Sequence, residues 1–212
     1  MTLALAPDEL LTTTRTVRKR LDFDRPVPRQ LVEECIEIAL QAPTGGLKQN
    51  WHWIVIGDPA VKAAVAGIYR DCYHSDNGAR RHTKDHDPTD QLAKVLDSGA
   101  YLADNMARTP WLVITAGTGR VLESPTVPEQ SRFWGSVLPA MWSFMLAARA
   151  RGLGCAWTSV HLQREPDVAQ ILGIPYPEVT QCGLFPVAYT KGTNFRRAQR
   201  IPGEELTHWD HW

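Results

Sequence analysis

The sequence predicts an α+β fold, in which helices and strands both occur without alternating strictly. The chain has 212 residues, of which 43% are hydrophobic, and this is enough for one sizeable core. Short apolar runs bounded by Gly or Pro are typical of strands, and longer runs with apolar residues at helical spacing are typical of helices. Because strict alternation is missing, we do not expect a doubly wound parallel sheet, and we predict a single domain over residues 1–212.

Proline starts and apolar periodicity together predict six helices. The dipeptides Pro7-Asp8 and Asp58-Pro59 each begin a helix, and Pro43 stops the helix that begins at Pro28. The helices are expected at about 7–12, 28–42, 59–69, 89–108, 133–151 and 166–172. The helix over 133–151 is apolar on more than one face, so we expect it to be buried on all sides or to lie in a subunit interface.

Four strands and two long loops complete the predicted elements. The strands are expected at 53–56, 111–115, 155–160 and 183–189, and the loops at 71–88 and 118–130. The loop 71–88 is polar and contains three of the seven histidines, which is typical of an exposed loop or lid. The tail 191–212 has no apolar period of its own, so it should become ordered only by packing against something else, for instance a partner subunit.

Composition narrows the possible location and partners of the protein. The 23 basic and 23 acidic residues cancel, which argues against nucleic acid as the main partner. The N-terminal segment lacks a secretory signal and no apolar stretch is long enough to span a membrane, so we expect a cytoplasmic protein without a membrane partner. The four cysteines are far apart and form no CxxC pair, which favours reduced thiols but leaves distant disulfides open.

Three segments carry residues suited to binding chemistry. The run Arg15-Thr16-Val17-Arg18-Lys19-Arg20 places four cations beside a helix boundary, where they suit a phosphate dianion or form a solvated surface cluster. The segment from Pro43 to Trp51 begins with small residues that would let a planar ligand approach the backbone, although a plain turn is the alternative. The segment from Gly152 to Ser159 is a glycine-bracketed turn that ends in hydroxyls. Neither GxGxxG nor GxxxxGK[ST] occurs.

Taken in order, these segments resemble the nitroreductase family. Arg15-Thr16-Val17-Arg18 is similar to its Arg-Ser-x-Arg motif, with Arg20 where an aromatic residue is usual. Pro43 to Trp51 is similar to a small-residue turn followed by Asn-x-Gln-Pro-Trp, with Leu47 in place of the Asn. Gly152 to Ser159 resembles the Gly-Leu-Gly turn of the family, and Arg200 to Trp209 resembles its closing Arg-Lys-Pro-Leu-Glu-Glu-Leu segment.

The resemblance implies a fold, a cofactor and a reaction. The implied fold has a central mixed sheet flanked by helices and a C-terminal extension that packs on the partner subunit of a homodimer. The implied flavoprotein binds FMN and passes electrons from NADH or NADPH through flavin N5 to a small organic acceptor of the nitroaromatic, quinone or enone type. The cofactor itself would perform the bond chemistry, so we expect no catalytic side chain.

The resemblance also implies which residues bind the cofactor. Arg15, Thr16 and Arg200 would hold the phosphate, and Arg18 would stabilise the reduced ring near N1 and O2. The complete set of expected cofactor-binding residues is Arg15, Thr16, Arg18, Lys19, Pro43, Thr44, Gly45, Gln49, Trp157, Thr158, Ser159 and Arg200. Three tryptophans are further candidates to line the cleft, namely Trp134, Trp142 and Trp157.

Other functions stay open at this point. The same flavin fold could support flavin breakdown, reductive dehalogenation or a deazaflavin-linked reduction, and a non-enzymatic FMN-binding protein is a different class again. A metal-binding regulator could in principle use His74, His82 and His86 with nearby acids, but we expect no metal site, because His and Asp in a polar loop are usually surface residues. His161, His208 and His211 are expected to be structural.

Overall fold

Helices and strands follow one another irregularly along the chain. The computed structural model describes residues 2–75, 92–123 and 126–212, and these residues contain six helices and five strands. The helices are α1 (Pro7–Thr13), α2 (Arg29–Ala39), α3 (Pro59–His74), α4 (Leu92–Asn105), α5 (Val127–Ala150) and α6 (Glu165–Leu172). The strands are β1 (Leu21–Asp22), β2 (Trp51–Ile56), β3 (Trp111–Thr118), β4 (Leu153–Cys155) and β5 (Val179–Thr190).

The strands form one sheet in the order β1-β5-β3-β2, with β4 also paired to β5. The α+β prediction is confirmed, but the expected mixed sheet is not found in the described residues, whose strand ladders are all antiparallel. The parallel contact seen there is an isolated bridge between Gly119 and Val179. Of the described residues between β2 and β3, α3 and α4 are the α-helical segments, and β3 returns antiparallel to β2.

Helices cover both faces of the sheet. Side chains alternate along β3, so that Leu112 and Ile114 belong to one apolar cluster and Val113 belongs to the other. The first cluster also contains buried residues of α3 and α4, and the second contains buried residues of α2 and α5. The sheet is therefore the middle layer between two helical layers, and it carries apolar side chains on both sides.

Several boundaries differ from the predictions. Helix α5 begins at Val127, inside the predicted loop 118–130. Its start was missed in the sequence because the exposed first turns carry no apolar period. The signals for this start were Pro128 in the first turn and Glu129, whose carboxylate accepts a hydrogen bond from the Thr126 hydroxyl at 2.5 Å. Strand β4 ends at Cys155, so the strand predicted over 155–160 is wrong, and residues 160–164 form a 3₁₀ turn.

Other differences are smaller. Strand β1 was not predicted, since two residues are too few to show an alternating pattern. Helix α3 continues to His74, past the predicted end near Tyr69. Most of the predicted lid over 71–88 lies outside the described residues. All four cysteines are buried and form no disulfide. In the described parts of the chain, no helix combines the length and the apolar character needed to cross a bilayer.

Candidate functional site

The basic run 15–20 lies against the edge strand β4. The amide of Val17 donates a hydrogen bond to the carbonyl oxygen of Cys155 at 2.9 Å. A side chain at Gly154 would lie 3.0 Å from the Val17 Cβ, so glycine is needed for this close approach. Val17 is buried in the core, whereas Arg15 and Arg18 are half-buried. The first and third predicted segments are thus joined by backbone contacts.

All six residues of the run line a cleft of about 450 Å³. The other residues of its lining are Ser98, Asn194, Phe195 and Arg196. Lys19 forms an exposed ion pair with Asp97 of α4, and the Arg18 Nη1 donates to the Ser98 hydroxyl at 3.3 Å. The cleft therefore lies between α4 and the C-terminal tail, and most of its charged lining is cationic.

Arg18 also lines an adjoining cleft of about 220 Å³, together with Trp157, Thr158 and Ser159. Its remaining lining residues are Tyr69, Tyr73, Val95, Gly99, Val160 and Gln163. The Tyr69 hydroxyl lies 3.1 Å from the Thr158 hydroxyl, and burial raises the pKa of Tyr69. The structure thus brings Arg18 together with the hydroxyl residues of the third segment.

Arg15 and Arg200 share a groove of about 320 Å³ on the other side of the run. The described lining of this groove includes Arg197 and no acidic side chain; its other members are Leu11, Thr12, Thr14, Trp142 and Ala198. Burial, and then the positive charge of Arg200, lower the pKa of Arg15. Two guanidinium groups that repel each other without a counter-charge form a site that an anion would stabilise.

An aromatic clamp holds the tail in place. The Phe195 ring lies between two guanidinium groups, 4.3 Å from that of Arg20 and 4.8 Å from that of Arg149. Arg20 also donates to the carbonyl of Lys191 and to the side chain of Asn194, both at 2.9 Å. Arg20, which replaces the aromatic residue usual in the resembling motif, thus fixes the tail segment that leads to Arg200.

The turn from Pro43 to Gln49 lies apart from these three cavities. The Gly45 amide donates to the Ser136 hydroxyl at 3.0 Å, and the Gln49 amide donates to the Thr44 hydroxyl at 3.3 Å. Gly45 lines a separate cleft of about 250 Å³, and no residue of 43–49 lines the cavities around Arg15 and Arg18. The residues predicted to bind the cofactor therefore fall into two groups within one chain.

The cavities also include residues that the sequence did not single out. Ser98, Tyr69, Tyr73 and Phe195 come from α3, α4 and the tail, and only the spacing of the two tyrosines on one helical face could have suggested their role. Trp142 lines the groove of Arg15 and Arg200, and Trp157 lines the cleft of Arg18, whereas Trp134 packs against the core and lines none of these cavities.

The histidines have separate surroundings. His161 is fully buried, and burial lowers its pKa to about 4. His74 lies 2.8 Å from the Asp104 carboxylate, and His82 and His86 lie outside the described residues. Among the residues that the structure does describe, no group of three His, Cys, Asp or Glu side chains could hold a metal ion.

Apolar side chains are exposed on α5 and on the tail. Leu138 and Trp142 lie one turn apart on α5, and each is 37% exposed. The tail exposes Ile201, Leu206, Trp209 and Trp212. Every described hydrogen bond within 201–212 is made inside the tail itself. These surfaces have no covering partner in the described part of a single chain.

Comparison with known proteins gives one consistent match. A sequence model of the Nitroreductase family matches residues 11–189. A 5,6-dimethylbenzimidazole synthase of Rhodospirillum rubrum is 29% identical over 135 residues, which are 64% of this chain and 61% of that protein, so the chain spans about three fifths of this relative. A 4-nitrobenzoate reductase of Nocardioides sp. is 24% identical over 199 residues, 84% of this chain and 78% of that protein.

Solved structures show the same fold. A BluB-like flavoprotein from Clostridium difficile 630 aligns with a TM-score of 0.70 at 15% identity, covering 98% of this chain and 100% of that one. An oxidized iodotyrosine deiodinase bound to FMN and 3-iodo-L-tyrosine aligns with a TM-score of 0.67 at 18% identity, covering 97% of this chain and 99% of that one.

Proposed function

Because this chain belongs to the nitroreductase family, we propose that it is an FMN-dependent oxidoreductase that transfers electrons from NAD(P)H to a small organic acceptor. The observation that carries the proposal is the anion site formed by Arg15 and Arg200, which come from opposite ends of the chain and meet without an acidic partner in the described lining of their groove. A neutral ligand would leave their repulsion in place, whereas a phosphate would remove it.

The residues of the site fit FMN in their chemistry. Two guanidinium groups and the exposed hydroxyl of Thr16 suit a phosphate dianion. Arg18 links this end to the cleft of Trp157, Thr158 and Ser159, which offers an aromatic wall and hydroxyls to a planar ring. The related deiodinase structure contains FMN, which supports the same cofactor here.

Bound FMN would supply the redox chemistry by accepting a hydride equivalent at N5 and passing the electrons on. The side chains would position and tune it. Arg18 lines the cleft proposed for the ring, so its positive charge would favour the reduced form of a flavin bound there. Tyr69 holds the Thr158 hydroxyl in a fixed direction through their 3.1 Å contact. Trp157 would form an apolar wall that limits the access of water to a ring bound in this cleft.

We propose that two chains complete each site. Within one chain, no residue of the turn 43–49 lines the cavities around Arg15 and Arg18, so the turn would reach the cofactor of a partner subunit. The exposed pair Leu138 and Trp142 supports an interface on α5, since Trp142 lies in the same groove as Arg15 and Arg200. The exposed apolar residues of the tail support packing on that partner.

The acceptor is proposed only as a class. The relatives are named for different reactions, namely formation of 5,6-dimethylbenzimidazole, deiodination of iodotyrosine and reduction of 4-nitrobenzoate. Each name contains a small planar aromatic compound, as a product in the first case and as a substrate in the other two. We therefore propose a nitroaromatic, quinone or enone acceptor for this chain, and identity of 29% or less does not carry any single named reaction over to it.

An anaerobic absorbance experiment tests the proposal. The purified protein, loaded with FMN, is mixed with NADPH or NADH, and the flavin bands are followed in time. Rapid bleaching, followed by recovery when a nitroaromatic acceptor is added, is the expected result. Bands that persist with either nicotinamide would contradict the proposed donor and would favour an FMN-binding protein or a deazaflavin donor. A protein that takes up no FMN would overturn the cofactor as well.

A further inference from the structure

A fourth cavity, of about 250 Å³, lies beside the turn 43–49 and has a role not yet assigned. Its lining consists of Gly45, Lys48, Asn50, Thr118, Glu129, Arg132, Phe133 and Ser136. This volume is slightly below the roughly 300 Å³ at which small-molecule pockets usually begin. A cavity of this size forms one wall of a binding site rather than an entire one. Under the proposed function, it would face the flavin held by the partner subunit.

The charge of this cavity is positive. Lys48 and Arg132 both line it, and neither forms an ion pair with any residue that the structure describes. The one acid in the lining is Glu129, whose carboxylate accepts a hydrogen bond from Thr126. Two cations and one acid leave an excess of one positive charge at a concave surface, which favours an anion.

The geometry of the cavity is fixed by contacts on two sides. The Arg132 Nε donates to the Pro128 carbonyl at 3.2 Å, which holds the side chain along the first turns of α5. The terminal nitrogens of Arg132 make no hydrogen bond to the residues that the structure describes. The Ser136 hydroxyl donates to the Arg132 carbonyl at 2.8 Å and accepts from the Gly45 amide at 3.0 Å. These bonds fasten the turn 43–49 to the helix that carries Arg132.

An aromatic wall completes the cavity. A Cβ atom at Gly117 would lie 2.7 Å from the Phe133 Cζ, so the absence of a side chain on β3 lets the ring pack closely against the sheet. Phe133 also contacts Trp134 edge-to-face, with the ring centroids 5.0 Å apart. A ring held in this way offers a planar ligand a fixed apolar surface beside two cations.

We propose that this cavity binds an acceptor that is planar and carries a carboxylate, with Arg132 and Lys48 holding the carboxylate and Phe133 contacting the ring. The inference rests on the proposed function, because the cavity becomes part of an active site only when a partner's flavin closes it. The inference adds a negative charge to the proposed class of acceptor. Arg132 can make two parallel hydrogen bonds to a carboxylate, and Lys48 adds a point charge.

A matched pair of acceptors tests this proposal. 4-Nitrobenzoate and 4-nitrobenzamide differ mainly in the charge of one group, and kcat/KM is measured for both with wild type and with Lys48→Gln/Arg132→Gln. The wild type should prefer the carboxylate. The double variant should lose at least ~10-fold in kcat/KM for 4-nitrobenzoate, since hydrogen bonds between charged groups are the stronger kind. Its kcat/KM for 4-nitrobenzamide should stay within about twofold of the wild-type value.

A binding measurement separates this inference from the proposed function. Calorimetry with benzoate needs no turnover, so it reports on the cavity even if NAD(P)H fails to reduce the flavin. Benzoate should bind the FMN-loaded wild type and the control variant Arg70→Gln. Arg70 is an exposed cation on α3 outside the cavity lining. The double variant should bind benzoate at least ~10-fold more weakly. Equal effects on both acceptors, no preference in the wild type, or a parallel loss of FMN affinity would overturn the proposal.

Discussion

Arg18 is the residue on which the proposed tuning of the cofactor depends. It lines both the cleft of the basic run and the cleft of Trp157 to Ser159, and it donates a hydrogen bond to Ser98. Its motif was recognisable in the sequence, because Arg15 and Arg18 lie only three residues apart in the chain. Its neighbours Tyr69 and Ser98 were not, because they come from helices distant in sequence.

Replacing Arg18 should change the redox potential more than it changes FMN retention. Without the cation, the reduced ring loses electrostatic stabilisation, so Arg18→Ala should lower the midpoint potential by at least about 30 mV, which is ~1.4 kcal/mol for two electrons. Potentiometry of the FMN-loaded protein measures this. The control is Arg200→Ala, which should weaken FMN binding and leave the midpoint potential of the remaining bound flavin nearly unchanged. An unchanged midpoint in Arg18→Ala would contradict its role.

Leu47 occupies a backbone conformation that leucine disfavours. Its φ is 56° and its side chain is 82% exposed, so no burial offsets the strain. Asparagine, the residue usual at this point of the resembling motif, tolerates this conformation. Leu47→Asn should therefore raise the free energy of unfolding by about 1 kcal/mol, seen as a higher Tm at fixed protein concentration. Alanine has no polar group that could hydrogen-bond the local backbone as asparagine does, so Leu47→Ala should gain little. Equal gains in both variants would point to the exposed apolar surface instead.

His161 should make folding stability depend on pH. Its folded pKa of about 4 lies below the ordinary value of 6.5 because burial disfavours the charged ring. The unfolded chain therefore binds more protons between these values, so stability is complete above pH 6.5 and falls as the pH drops toward 4, by about 3 kcal/mol. Denaturant unfolding at several pH values measures this slope.

Two variants separate this effect from general destabilisation. His161→Met fills the site without a titrating group, so its unfolding free energy should fall less steeply between pH 6.5 and 4. Val168→Ala removes buried apolar volume from α6 and should lower stability by a similar amount at every pH, leaving the wild-type slope. A wild-type slope that persists in His161→Met would exclude His161 as its origin.

At the scale of secondary structure, the tail and α5 carry the proposed assembly. The sequence predicted an apolar helix at 133–151 and a tail without its own core, and both features are seen in the structure. The clamp of Phe195 between Arg20 and Arg149 was not predictable, because it joins residues from three distant parts of the chain. Local patterns identify elements, whereas contacts between remote elements depend on the whole fold.

Shortening the tail should test its role separately from that of Arg200. Removing residues 202–212 keeps the clamp and Arg200 but deletes the exposed Leu206, Trp209 and Trp212. We expect the dissociation constant of the dimer to rise at least ~10-fold, since apolar area that would be buried against a partner is lost. Sedimentation over a dilution series measures this. A shortened chain with unchanged dimer affinity and full FMN occupancy would refute the proposed packing of the tail.

For the molecule as a whole, the fold class followed from the sequence but the composition of the site did not. Hydrophobic patterns and turn residues were sufficient for an α+β assignment, and the ordered motifs indicated the family. The family resemblance predicts one cofactor site for the turn 43–49, Arg15 and Arg18, but it does not show which of them a single chain brings together. Their separation in the structure reflects the position of the turn against α5, where the Gly45 amide binds Ser136, which no sequence pattern reports.

Each FMN site should contain residues from two chains, and the flavin content of mixed dimers reports whether it does. One chain carries Arg15→Ala/Arg200→Ala, the other carries Thr44→Ala/Gln49→Ala, and each has a different affinity tag. Both variant homodimers should retain little FMN. In the mixed dimer, one site combines both defects and the other combines two intact halves, so we predict about one tightly bound FMN per dimer. Flavin content as low as in the variant homodimers would contradict a shared site, because each site would then lie within a single chain.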